Sequence, residues 1–160
     1  MVYVLMGVAG CGKSTVGRVL SKKLVKPFFD ADDYHPWENV IKMKREIALN
    51  DMDRGPWLLT LNQKIYEWNN AGGGILACSA LKEKHRCILA KDNDVLFVVL
   101  EGSKELIAQR LSARKEHYFS NTLLQSQFEC YERPAYGMKV SIAQSVEEIC
   151  QQILECIRDL

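Results

Sequence analysis

The segment that most constrains this chain is the glycine-rich stretch GVAGCGKS, residues 7–14. It fits the pattern G-x-x-x-x-G-K-[ST], in which glycines let backbone N–H groups turn inward around phosphate oxygens. The apolar run VYVLM (2–6) precedes it, and a helical pattern with Val16, Leu20 and Leu24 follows it. This strand–loop–helix order predicts a phosphate-binding loop at the start of an α/β fold.

Each position of this loop has an expected task. Lys13 is expected to reach the terminal phosphates of a nucleotide, and Ser14 to offer its hydroxyl to Mg²⁺. The helix that follows points its positive N-terminal end at the bound anion. The predicted phosphate-binding residues are Gly7, Val8, Ala9, Gly10, Cys11, Gly12, Lys13, Ser14 and Thr15.

Further along the chain, short apolar runs alternate with amphipathic ones. Strands are predicted at PFFD (27–30), GILACS (74–79), VLFVVL (95–100) and MKVSI (138–142). A long middle helix is predicted around 57–68 and a last helix around 146–157. The alternation indicates a five-stranded parallel sheet with helices on both faces, in one domain spanning residues 1–160. Ligands of such folds bind at the carboxyl ends of the strands.

Composition narrows the class of protein further. The 160 residues are 48% apolar and 26% charged, with a net charge of +1 and no basic block or acidic tail. Nucleic acid and membrane surfaces are therefore not expected as partners. No apolar run approaches the roughly 20 residues that span a bilayer, and no signal peptide is expected. The six cysteines lack paired spacing, so we expect free thiols in a cytoplasmic protein and no zinc site.

The acidic stretch FDADDYHP (29–36) comes at the end of the second predicted strand. In an extended chain Asp30 and Asp32 point to the same side and Asp33 points away. Beside a bound nucleotide, one carboxylate can support the water shell of the metal while the other accepts a proton from an attacking hydroxyl. The alternative is a turn or a helix N-cap, which suits Asp33 ahead of Pro36.

Three further polar clusters follow strands or begin helices. LNDMDRGPWL (49–58) places an arginine beside a tryptophan, and arginine is a natural clamp for a carboxylate. CSALKEKHR (78–86) follows the third strand, and QRLSARKEHYF (109–119) lies where a mobile lid, at about 114–124, would neutralise phosphate charge and exclude water. Each of these basic side chains could equally belong to a solvated helix face.

Together these segments resemble the gluconate kinases of the small P-loop type, whose fold is similar to that of shikimate kinase and the nucleoside monophosphate kinases. The resemblance covers nearly the whole chain and rests on VLMGVAGCGKST, DADDYHPWENVIKM, LNDMDRGPWL, CSALK, RLSARKEHYF and LLQSQFE. It implies transfer of a phosphoryl group from ATP, with Mg²⁺, to the terminal hydroxyl of D-gluconate, giving 6-phospho-D-gluconate. It also implies a homodimer.

The resemblance implies roles for individual residues. The expected catalytic residues are Lys13, Asp32, Arg110 and Arg114, and the expected metal-holding residues are Ser14 and Asp30. The expected substrate residues are His35, Asn39, Lys42, Arg54, Ser79, Lys82 and Arg86. Gluconate is an anion, and the carboxylates of Asp30 and Asp32, here called the acidic pair, would repel it. One of the cations among the expected substrate residues therefore has to bind the gluconate carboxylate.

Two segments depart from the family pattern. KREIALND (44–51) has Glu46 and Ala48 where glycine and proline are expected, and Glu46 would carry strain of about 1 kcal/mol if its φ is positive. The segment 134–142, expected near the adenine, is short.

Two other hypotheses are a kinase for another sugar acid and a nucleotide-binding protein without catalysis. The acidic pair argues against the latter, because a mere binder needs no base.

Overall fold

The computed structural model describes residues 1–113 and 121–160. Five parallel strands form one sheet in the order β2-β3-β1-β4-β5. The strands are β1 (Val2–Met6), β2 (Phe28–Asp30), β3 (Gly74–Ala77), β4 (Val95–Glu101) and β5 (Met138–Ser141). All five overlap the predicted strands, which confirms the predicted parallel sheet.

Seven α-helices connect and cover the strands within the described ranges. They are α1 (Lys13–Leu24), α2 (Trp37–Lys44), α3 (Asp51–Asn70), α4 (Glu83–Ala90), α5 (Lys104–Ser112), α6 (Asn121–Cys130) and α7 (Val146–Arg158). A short 3-10 helix, Ala31–Tyr34, follows β2. No helix in these ranges is long and apolar enough to cross a membrane.

The side chains of β1 divide the core into two layers. Tyr3 and Leu5 pack in the layer covered by α1, α5 and α7, whereas Val2, Val4 and Met6 pack in the layer covered by α3 and α4. Because every residue of β1 is buried, the strand lacks the polar alternation of a half-exposed strand. The sheet therefore has helices on both faces, as predicted.

The order of the strands places a binding site at their carboxyl ends. β1 lies between β3 and β4, so the connection after β1 runs to one side of the sheet and the connection after β3 runs to the other. The glycine-rich loop follows the carboxyl end of β1, the acidic stretch follows β2, and the segment with Ser79 follows β3.

The acidic stretch differs locally from the sequence prediction. Its residues are not extended after Asp30, because the chain turns into the 3-10 helix at once. The cap of that helix is Asp30, whose Oδ1 accepts from the Asp32 backbone N–H at 3.0 Å, and not Asp33. Pro36 is the N-cap of α2 and lies just outside its first turn.

Candidate active site

The glycine-rich loop has the backbone geometry that a phosphate cradle requires. Gly7, Gly10 and Gly12 all have positive φ, at 146°, 79° and 95°. A Cβ at Gly7 would lie 2.8 Å from both the Leu100 carbonyl oxygen and the Cys11 Sγ, so only glycine fits. Gly12 is also the N-cap of α1, whose free N–H groups therefore open toward the loop.

Lys13 folds back over the loop that precedes it. Its Nζ donates to the Gly7 carbonyl at 2.9 Å and to the Val8 carbonyl at 3.0 Å. These neutral acceptors hold the ammonium at the centre of the loop without neutralising its charge. The group is therefore placed to exchange carbonyl oxygens for the anionic oxygens of a phosphate.

Ser14 and the acidic pair form a connected chain of polar groups. The Ser14 hydroxyl donates to Asp30 Oδ2 at 3.1 Å, and Asp30 Oδ1 accepts the Asp32 N–H. Asp30 is thereby tied to the loop and to the following turn at once. Two hard oxygen groups, the hydroxyl and the Asp30 carboxylate, stand together as Mg²⁺ prefers.

Asp32 differs from Asp30 in its electrostatics. Its carboxylate is open to solvent on one side, yet it sits within a concave wall of protein, and this partial desolvation raises its pKa above the ordinary value. The negative charge of Asp30 raises the pKa of Asp32 further, and Lys13 opposes the effect. A carboxylate with a raised pKa is a better proton acceptor, which suits Asp32 to the role of general base.

A cavity of about 410 Å³ joins these groups at the carboxyl edge of the sheet. The predicted site residues that line it are Ala9, Lys13, Ser14, Asp30, Asp32, His35, Arg54 and Ser79. Its apolar walls come largely from the 43–49 segment and from Trp57. A cavity of this size accommodates a small organic substrate beside a nucleotide phosphate.

His35 is held neutral and in one orientation. The Asn39 Nδ2 donates to the Asp53 carbonyl at 2.8 Å and faces His35 Nδ1 at 3.2 Å. Because that amide nitrogen can only donate, Nδ1 must accept and the proton of the neutral ring lies on Nε2. Burial, together with the charge of Arg54, lowers the pKa of His35 to about 4. The Nε2–H therefore faces Asp32 Oδ1 across 3.7 Å.

Arg54 is a cation of the cavity lining that has no carboxylate partner among the described residues. Its guanidinium makes no hydrogen bond or ion pair with any residue of the described ranges. Lys42, in contrast, binds both oxygens of Asp53 at 2.8 and 2.9 Å and lies outside the lining. Asn39 is also outside the lining, where it supports His35 from behind.

Two other predicted substrate residues do not reach the cavity. Lys82 is the N-cap of α4 and pairs with Asp51 at 3.3 Å. Arg86 is 1% exposed. Its guanidinium donates hydrogen bonds to the Glu83 carboxylate, the Tyr136 hydroxyl and three backbone carbonyls. Every guanidinium N–H of Arg86 already has an acceptor, so the structure does not bring Arg86 to the cavity where a substrate residue was expected.

The structure describes only one of the two arginines expected to be catalytic. Arg110, on α5, donates through Nη2 to the Ile142 carbonyl at 2.6 Å and does not line the cavity of the acidic pair. Arg114 lies outside the described residues, as does most of the predicted lid at 114–124.

A second cavity, of about 420 Å³, borders the loop at Gly7 and Val8. Its charged residues include Lys139 and the pair Glu101–Arg133, in which two hydrogen bonds of 2.7 and 2.9 Å join the side chains. It contains neither member of the acidic pair, so the chemistry assigned to them belongs to the first cavity.

Several lining residues were missed by the sequence analysis. Leu123, Ser126 and Gln127 reach the cavity from α6, and Gln127 Oε1 accepts the N–H of Ala9 at 2.6 Å. Their segment, LLQSQFE, was recognised only as part of the family resemblance. Nothing local to a polar helix shows which loop it will pack against.

Glu46 has the positive φ for which the sequence predicts strain. Its φ is 57°, in the left-handed region that favours glycine, and the residue lines the cavity. A strained residue at a ligand site is a common sign of a functional constraint.

Comparison with known proteins identifies the family. The shikimate kinase family model matches residues 9–158. The chain is 41% identical to a gluconokinase of Arabidopsis thaliana, with 98% of this chain and 92% of that protein covered. The chain belongs to the gluconokinase family. This confirms the predicted P-loop kinase fold and the predicted family.

Two further relatives support the assignment. The thermoresistant gluconokinase of Escherichia coli K12 is 37% identical, with 98% of this chain and 93% of that protein covered. The crystal structure of a gluconokinase from Sinorhizobium meliloti 1021 superposes with a TM-score of 0.88 at 34% identity, covering 99% of this chain and 91% of that one.

Proposed function

We propose that this protein transfers the γ-phosphoryl group of ATP to the terminal hydroxyl of D-gluconate. The observation that carries the proposal is the single cavity that joins Lys13, Ser14, Asp30, Asp32 and Arg54. It combines a phosphate loop, a general base and a free guanidinium, which are the parts that phosphorylation of an anionic polyol requires.

Asp32 acts as the proton acceptor. The hydroxyl oxygen of the substrate forms a bond to the γ-phosphorus while the bond from that phosphorus to the ADP oxygen breaks. The hydroxyl proton passes to an oxygen of Asp32, whose raised pKa favours that transfer. His35 orients the acceptor by donating through Nε2–H toward the same carboxylate or the hydroxyl beside it.

The residues of the loop fit ATP and Mg²⁺. Ser14 and Asp30 would hold the metal, which neutralises phosphate charge when bound. No cluster of three metal-ligating side chains exists among the residues that the structure describes. That agrees with Mg²⁺ bound mainly through phosphates and water, with one carboxylate in support. Lys13 would contribute its charge at the β- and γ-phosphates.

Arg54 would hold the gluconate carboxylate at the far end of the cavity. A guanidinium binds a carboxylate through two parallel hydrogen bonds, which positions as well as neutralises it. The opposite end of the substrate then lies toward Asp32. This separates the anionic end of gluconate from the acidic pair.

A coupled assay of ADP formation tests the proposal. Purified protein, ATP and Mg²⁺ are combined with gluconate, its epimers, shikimate, neutral sugars or nucleoside monophosphates. Gluconate-dependent ADP formation, with 6-phospho-D-gluconate as the product, is expected. ATP binding without transfer to gluconate would contradict it.

Glu46 favours a second candidate, a kinase for a different sugar acid. Its carboxylate adds negative charge to the lining that receives the substrate. A substrate with more hydroxyl groups or a differently placed carboxylate would accommodate that charge better. The same assay separates the candidates, because the preferred epimer would then show a higher kcat/KM than gluconate.

Other expectations of the resemblance belong to the same proposal. We infer a cytoplasmic location, in support of which all six cysteines are free thiols. We also propose one kinase domain over residues 1–160, with a lid at about 114–124 that carries Arg114, and a homodimeric assembly. Light scattering on the purified protein measures the assembly directly.

A further inference from the structure

Helix α6 presents one face to the active-site cavity. Leu123, Ser126 and Gln127, spaced three and four residues apart, lie on that face and line the cavity. Leu124 and Phe128 pack into the core on another side. The position of Gln127 is therefore set by a helix that Leu124 and Phe128 anchor in the core.

The phosphate loop determines how the Gln127 amide is turned. The Ala9 N–H can only donate, so the group that receives it at 2.6 Å must be the carbonyl oxygen Oε1. The Nε2 group consequently lies on the other side of the amide. It makes no hydrogen bond with a residue of the described ranges, so both of its N–H donors remain available.

The hydrogen bond from Ala9 shows which part of the loop Gln127 lies against. Among the loop residues, Ala9, Lys13 and Ser14 line the cavity that contains Asp32, whereas Gly10, Cys11 and Gly12 do not. Ala9 thus belongs to the part of the loop that faces the phosphoryl acceptor. A terminal phosphate must pass between this part of the loop and the base.

We propose that Gln127 donates a hydrogen bond through Nε2 to an oxygen of the γ-phosphoryl group during transfer, while its Oε1 keeps α6 against the loop. This assignment rests on the proposed kinase function. In phosphoryl transfer negative charge spreads over the equatorial oxygens of the transferred group, and a preorganised donor there stabilises it.

A substitution that keeps one of the two contacts separates them. Gln127→Glu retains an oxygen for the Ala9 N–H but replaces the donor with a negatively charged oxygen. Gln127→Leu removes both contacts. Gln125→Glu, on the same helix but outside the cavity, makes the same change of charge and serves as the matched control.

The test compares the affinities for AMPPNP and ADP by titration calorimetry in the presence of Mg²⁺. A donor to the γ-phosphoryl group should make the AMPPNP-to-ADP affinity ratio fall about 10- to 100-fold in Gln127→Glu, as for hydrogen bonds to charged groups. Gln127→Leu should lower the ratio as well. Gln125→Glu should leave it unchanged, and kcat with gluconate should fall in parallel with the ratio.

A wild-type ratio in Gln127→Glu or in Gln127→Leu would overturn the proposal and leave Gln127 as a structural tie between α6 and the loop. Because the ratio is measured without gluconate, it does not depend on the substrate. A wild-type protein that binds AMPPNP but transfers nothing to gluconate would refute the proposed substrate, and the ratio would still decide the role of Gln127.

Discussion

The imidazole of His35 stacks on the indole of Trp57, with ring centroids 4.3 Å apart and planes inclined by 15°. The stack buries the ring at the edge of the cavity, and burial disfavours the charged form of the histidine. The Nε2–H therefore remains a neutral donor toward Asp32 near neutral pH. Trp57 itself is anchored by a hydrogen bond from its Nε1 to the Ala31 carbonyl at 2.8 Å.

The lowered pKa of His35 predicts a loss of stability in mild acid. Between pH 6.5 and about 4 the unfolded chain binds a proton that folded His35 does not, so the free energy of unfolding falls as the pH falls. The slope is at most about 1.4 kcal/mol per pH unit for one histidine. His35→Phe should keep the stack and show a shallower slope in urea titrations across this range. An unchanged slope would mean that His35 is charged in the folded protein.

Asp32→Asn should abolish most of the activity and raise the stability. The pKa of Asp32 is raised in the folded state, so its ionisation costs the fold free energy once the pH exceeds the ordinary aspartate value. A neutral amide removes that cost at pH 7, and removal of a general base lowers kcat by about 10²- to 10⁴-fold. Thermal unfolding and the ADP assay measure both effects. Asp33→Asn, outside the cavity, is the control, and an active Asp32→Asn would refute the assignment of the base.

Arg54→Gln should raise the KM for gluconate by about 10- to 100-fold, because it removes a charged hydrogen-bonding partner of the carboxylate. The affinity for ATP should change little. Lys82→Ala removes a cation that is already paired with Asp51, so it should leave KM near the wild-type value. Steady-state kinetics with varied gluconate compare the two variants. A larger effect of Lys82→Ala would show that the carboxylate binds at α4.

Arg86→Met should destabilise the fold without a specific effect on gluconate binding. The substitution leaves the carbonyls of Ala80, Leu81 and Glu132 without their donor in a buried setting, at a cost of about 3 kcal/mol. Urea unfolding measures the loss. Lys84→Met, on the same helix but exposed, should cost less than about 1 kcal/mol. A stable Arg86→Met variant with a raised KM would restore Arg86 as a substrate residue.

Glu46→Gly should stabilise the protein by about 0.5–1 kcal/mol, since it relieves the left-handed backbone while adding entropy to the unfolded chain. Glu46→Ala removes the same side chain but keeps the strain, so it isolates the backbone effect. Chemical unfolding of both variants gives the difference. Equal stabilities would show that the turn relaxes around residue 46. A lower KM for gluconate in both variants would show that the carboxylate opposes the substrate.

Some of the site could be predicted from the sequence because its determinants are local. The loop is set by glycines that adopt positive φ and by the strand and helix on either side of it. Asp30 and Asp32 were predicted to act together because they follow a strand whose carboxyl end meets the loop. Their geometry nevertheless differs from the prediction, since Asp30 accepts the Asp32 N–H and turns the chain into a 3-10 helix.

The positions and partners of the basic side chains could not be predicted from local sequence. Arg54, Lys82 and Arg86 look alike in sequence, yet the first lines the cavity, the second pairs with Asp51 and the third is buried. The charge of a side chain is a local property. Its partner is decided by the elements that pack around it.

Local features of the sequence therefore account for the parallel sheet, the phosphate loop and the acidic pair, because periodicity and glycine conformation act over a few residues. Packing between distant segments accounts for the place of Arg54 in the cavity lining, the neutral state of His35 and the contact of Gln127 with Ala9. These contacts join residues far apart in the chain, such as Ala9 and Gln127, which are 118 positions apart. Packing brings such residues together, and it also sets the burial that shifts their pKa values.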